Sequence, residues 1–93
     1  MNWLFDDKKT TMVITTKRII NKLAPVSIVT HDRDDGMWQF LDKGELTEEI
    51  AAIVSLEEII LLDESLMILY DLPLGWIAEK HSDGSWVRME ISS

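Results

Sequence analysis

The stretch THDRDDGMWQFL, residues 30–41, concentrates one histidine, three aspartates, one arginine and one tryptophan around a single glycine. Residues of these types support three chemistries. A calcium loop of the EF-hand kind starting at Asp32 would require its glycine at position 37 and its bidentate glutamate at position 43, where Met37 and Lys43 stand, so the register fails twice. A zinc site would have to join His31 to His81, fifty residues away, without the short ligand spacings that such centres use. A general base built on His31 would want Asp32 to orient it. Neighbouring residues of a strand, however, point to opposite faces. The fourth reading is a turn: Gly36 tolerates a positive φ, and Asp34 and Asp35 bond readily to nearby backbone, so DRDDG joins two strands as a hairpin. The chain contains no G-x-S-x-G elbow, no Gly-rich phosphate loop and no HExxH helix. The expectation is a domain that is not an enzyme and takes no cofactor or metal.

Charge provides the other lead. The 93 residues carry a net charge of −8, all of it in the second half: residues 1–46 hold seven Lys/Arg against seven Asp/Glu, whereas residues 47–93 hold Lys80 and Arg88 against ten acids. Such a surface repels nucleic acid and anionic lipid and speeds encounter with a basic protein. Candidate partner-binding carboxylates are Asp32, Asp34 and Asp35 in the hairpin, and Glu57, Glu58, Asp63, Glu64 and Asp71 further on. Cysteine is absent, which removes disulfides and thiolate chemistry together. MNWLFDDKKTT has no cationic leader and no stretch has the apolar length of a membrane span, so a cytoplasmic protein with no membrane partner is expected.

These side chains need elements to hold them. MVIT (12–15) reads as a strand, and Thr15 or Thr16 caps a following helix that turns Ile19, Ile20 and Leu23 inward and that Pro25 prevents from running on. VSIVT (26–30) alternates, with Val26, Ile28 and Thr30 on one side. MWQFL sets Trp38 and Phe40 on one face and Met37, Gln39 and Leu41 on the other. AAIV (51–54) is a further short strand. SLEE is a capping box, so a helix begins at Leu56, and Asp63 caps a further turn before Pro73. Ile59, Ile60, Leu62, Leu66, Met67 and Leu69 exceed a single stripe, which implies burial on two sides or a partner surface. GWIAEK and SWVRMEI flank Asp83-Gly84 as a second hairpin, with Trp86, Arg88 and Glu90 sharing one face and Val87, Met89 and Ile91 the other. Trp38, Trp76 and Trp86 each face inward to the core or outward to an interface, the inward place being the simpler account, and Trp3 tucks onto the sheet or docks on another chain. The sum is one α+β domain over residues 1–93: an antiparallel sheet of five to six strands with two to three helices packed on one face.

TTKRIINKLAPVSIVTHDRDDGMWQF, VSLEEIILLDESL, DLPLGWIAEK and SWVR, in that order, resemble a group of small bacterial cytoplasmic proteins with HD-x-DDG-x-WQF, VSLEEI and DLP-x-GW-x-A motifs. The group is similar to domain-of-unknown-function families that include predicted immunity proteins of polymorphic toxin systems. The likeness runs over roughly residues 12–88. It places a family-like core at 12–91 behind an N-terminal extension, 1–11. It matches His31, Asp32, Asp34, Asp35, Gly36, Trp38, Phe40, Ser55, Glu58, Pro73, Gly75 and Trp76, and carries over no catalytic residue. The resemblance implies an α+β domain with no known cofactor; joined to the acidic second half and the lack of a catalytic set, it makes the leading expectation a protein-binding domain of immunity type that neutralises a basic toxin by occupying it. The competing expectation is a structural, self-associating domain whose apolar segment 56–70 forms a homodimer seam.

Overall fold

The computed structural model describes residues 2–91, which build a six-stranded sheet with its helices on one face. In chain order the elements are β1 (Met12–Thr16), α1 (Lys17–Ile20), β2 (Ile28–His31), β3 (Trp38–Leu41), β4 (Ala51–Ser55), α2 (Leu56–Leu62), a 3-10 helix (Glu64–Leu69), β5 (Trp76–Lys80) and β6 (Trp86–Glu90). The strands lie in the order β4-β1-β3-β2-β5-β6. Both expected hairpins form, β2 with β3 and β5 with β6, and β4 runs antiparallel to β1. The exception is β1 against β3, which is parallel, with Ile14 opposite Gln39. The sheet is therefore mixed, closed in its middle by a contact between residues far apart in sequence.

Alternation selects the core. Val13, Val29, Trp38, Phe40 and Ala78 project from the sheet onto Ile19, Leu56, Ile59, Ile60, Leu66, Met67 and Leu69 from the helices. The apolar excess of 56–70 is thus largely taken up inside the molecule, leaving Leu61, Leu62 and Ile68 exposed. The cap at Thr16 accepts from the Ile19 amide, and Ser55 accepts from the Glu58 amide at 3.2 Å, so α2 begins at Leu56 as its capping box requires. Asp63 caps the 3-10 helix through the Ser65 amide.

One detail departs from the expectation, and two others settle what it left open. Helix α1 stops at Ile20, well short of Pro25, because Lys22 takes a left-handed φ of 60°, and Leu23 is consequently 77% exposed rather than inward. In β2 the buried side is that of Val29, with Ile28 and Thr30 on the opposite face. The N-terminal extension belongs to the core: Phe5 is buried edge-on against Trp38 at 5.2 Å between ring centroids, and Trp3 leans on Phe5 with its indole N–H donated to the Asp7 carbonyl. Trp3 therefore tucks onto its own sheet, and Trp76 and Trp86 pack partly buried against the core.

One core group is mismatched. The Thr15 hydroxyl is fully buried with no hydrogen-bond partner among the described residues. Because an unsatisfied buried hydroxyl costs roughly 1–3 kcal/mol while a methyl of the same shape costs none, Thr15→Val should raise unfolding stability by about 1 kcal/mol in urea titration. A loss of stability would mean that the hydroxyl is satisfied after all.

Candidate functional site

In the β2–β3 hairpin, His31 pairs with Trp38 across the ladder, and the turn is closed by Asp32 N–H to the Met37 carbonyl (2.8 Å) and Gly36 N–H to the Asp32 carbonyl (3.0 Å). Asp32 Oδ1 accepts from the Asp34 amide and Asp35 Oδ1 from the Met37 amide, each at 2.8 Å, with Gly36 at φ 72°. Two of the three aspartates thus fold the turn by bonding backbone two residues on. The Arg33 guanidinium lies over Gly75, where an added Cβ would come within 2.6 Å of it, and meets Glu90 at 3.1 Å. Gly75 sits at φ 81° and ties the two hairpins together, donating to the His31 carbonyl and accepting from Ile91.

Asp32 does not orient His31. The imidazole stacks on the Trp38 indole, centroids 3.9 Å apart and planes 15° from parallel, and its Nδ1 lies 2.8 Å from the Leu72 carbonyl. A carbonyl can only accept, so the proton of the neutral ring sits on Nδ1 and Nε2 is the acceptor. His31 and Trp38 line an open depression of about 440 Å³ between the hairpin, the N-terminal segment and the chain after the 3-10 helix, bordered by Asp6, Asp7, Gly36, Tyr70 and Asp71. Asp7 Oδ1 accepts from the Trp38 indole N–H at 3.2 Å. Asp71 is held by Arg88 at 2.6 Å, and this guanidinium keeps the Asp71 carboxyl below its ordinary pKa. The depression is therefore acidic at its rim, with Tyr70, 43% exposed, presenting a ring at its edge. No serine, threonine or cysteine lines it.

The eight carboxylates picked from the sequence do not form one cluster. Asp71 joins the depression; Asp32 and Asp34 border a second hollow, on the other side of the hairpin, with Thr30, Gln39 and Ile91. Glu57 pairs with Lys9 at 3.7 Å on α2, Glu58 stands beside Leu61 and Leu62, and Asp63 and Glu64 mark the junction to the 3-10 helix. Among the described residues no three His, Asp or Glu side chains are grouped so as to hold a metal ion.

Sequence reasoning passed over Asp6, Asp7 and Tyr70, which reach the depression only through long-range packing. It also passed over Asp42. Asp42 is buried and accepts from Arg18 Nε and Nη2 (both 2.9 Å), from the Thr16 hydroxyl (2.6 Å) and from the Gly44 amide (2.7 Å). The two-pronged Arg18 bond, with the Thr16 and Gly44 donors, lowers the carboxyl pKa to about 2 despite its desolvation. Arg18 also donates to the Glu45 carbonyl, so the pair pins the β3–β4 connection onto α1.

Comparison with protein-family models, with curated proteins and with solved structures finds no match to this chain. Among the described residues no helix is long and apolar enough to cross a membrane.

Proposed function

We propose that the chain is a protein-binding domain, not an enzyme, that captures a basic partner at its acidic surface. The observation that carries this reading is the convergence of Asp6, Asp7 and Asp71 on the depression beside His31, with Tyr70 at its edge. A lysine or arginine of the partner entering there meets carboxylates and an aromatic ring, a combination suited to a cation. His31 supports the non-catalytic side of the proposal: its ring is stacked and tethered to a main-chain carbonyl, and the groups around it include no hydroxyl or thiol nucleophile of serine, threonine or cysteine. The family resemblance gives the partner its form, a toxin neutralised in the cytoplasm by occupation of a basic working surface.

Asp6→Lys combined with Asp71→Lys reverses charge at two exposed positions on the rim of the depression. Immobilised wild-type chain should retain a basic protein from its source cells, and the double variant should retain at most about a tenth as much, since rim charges set encounter rates and suppress wrong partners. Equal retention by the two would overturn the reading.

A further inference from the structure

With every helix on one side, the second face of the sheet is bare, and its composition is not that of a solvated face. Across the middle of the sheet the registers align one row through all six strands: Ile53, Ile14, Gln39, Thr30, Ile77 and Met89. Four of the six are apolar, Ile53 is 64% exposed and Met89 41%, and Met12 and Val87 extend the same face. Open antiparallel faces in water ordinarily carry polar side chains. Glu79 is the one charged residue that the strands place on this face, so the net charge of −8 lies almost wholly elsewhere.

We infer that this face is covered by a second copy of the chain, packed sheet on sheet. Three observations select that occupant. First, size: six strands at about 4.8 Å spacing and five residues at about 3.3 Å rise project to on the order of 500 Å². Two copies together hide on the order of 1,000 Å² before side-chain relief is counted, which reaches the threshold of a specific interface. Second, pattern: the row is apolar at both ends with the Gln39–Thr30 pair, 3.3 Å apart, in its middle. A two-fold axis lying in the face, along or across the strands, sets apolar ends over apolar ends and this polar pair over its own counterpart. That self-match is what an isologous dimer requires. Third, charge: two strongly acidic chains repel, and this face brings them together with Glu79 as the one strand charge at the seam and with Asp32, Arg33 and Asp34 at its margin, beside Thr30 and Gln39. The pairing leaves the depression beside His31 free, because His31 and Trp38 project to the helical side of the sheet.

Sedimentation equilibrium of the full chain at micromolar concentration tests the inference. Wild type should sediment as a dimer. Ile53→Lys with Met89→Lys, both exposed positions, should weaken association at least about 100-fold, as should Val87→Lys with Met89→Lys, because a lysine buried in an apolar seam is left unpaired. Leu61→Lys with Ile68→Lys, equally exposed on the helical side, should leave the dimer intact. Circular dichroism establishes that each variant is folded. A wild-type monomer throughout the range, a dimer that survives both sheet-face variants, or a dimer lost only on the helical side would overturn the inference.

Discussion

Trp38→Ala should cost about 3–5 kcal/mol of unfolding free energy, the range for truncating a large buried aromatic. The indole is 1% exposed, edge-on to Phe5, parallel to Phe40 at 6.0 Å and stacked on His31. Its removal opens a void beneath the N-terminal segment, the helices and the hairpin at once, and leaves Asp7 without its donor. A 93-residue domain has on the order of 5–14 kcal/mol to lose, so the variant sits close to its folding threshold at 37 °C. Trp38→Phe keeps most of the packing and loses the indole N–H, which should reduce the cost to about 1–2 kcal/mol. Urea unfolding followed by circular dichroism reads both. A loss below about 1 kcal/mol for the alanine variant would show that the hairpin is not anchored through this ring.

Asp42→Ala should cost about 3 kcal/mol, because it orphans the buried Thr16 hydroxyl and the Gly44 amide and leaves the partly exposed Arg18 guanidinium with the Glu45 carbonyl alone. The expected drop in Tm is about 12–20 °C for a domain of this size. Part of the effect is pH-dependent. The folded-state pKa of Asp42 is depressed to about 2, so the stability this contributes is fully present above the unfolded value near 3.8 and is lost as pH falls through about 2. That portion amounts to about 2 kcal/mol. The stability gap between wild type and Asp42→Asn should therefore hold steady from pH 7 to about 5 and narrow between about pH 4 and 2. A gap independent of pH would mean that the carboxylate is not charged through its pairing with Arg18.

Local signals carried most of the elements. Ser55 and Glu58 marked the start of α2, Gly36 and Gly84 sit in the two hairpin turns, and the alternation of Trp38 and Phe40 pointed to the core; each depends on neighbours within four residues. What failed was long-range. Periodicity distinguishes the two faces of β2 but does not say which one meets the helices, and the answer depended on Ala78 lying beside Val29. Leu23 continued the helical spacing of Ile19, yet the backbone leaves the helix at Asn21 and Lys22, a reversal with no glycine to announce it. Asp42 was hidden for the same reason as Asp6 and Asp7: an aspartate in a polar connection looks solvated until Arg18, 24 residues earlier, is seen to reach it. Of the site itself, the turn-forming role of Asp32 and Asp35 was legible, and the depression beside His31 was not, since its walls come from three separate parts of the chain.

The salt dependence of partner capture addresses the central claim most directly. Dissociation of the retained protein from wild-type chain should be compared at about 0.1 M and about 1 M salt, where charges are felt over about 10 Å and about 3 Å. Capture through the acidic rim predicts an affinity at least about tenfold weaker at the higher salt, with the difference abolished in Asp6→Lys/Asp71→Lys. Equal affinity at the two concentrations in wild type would contradict it.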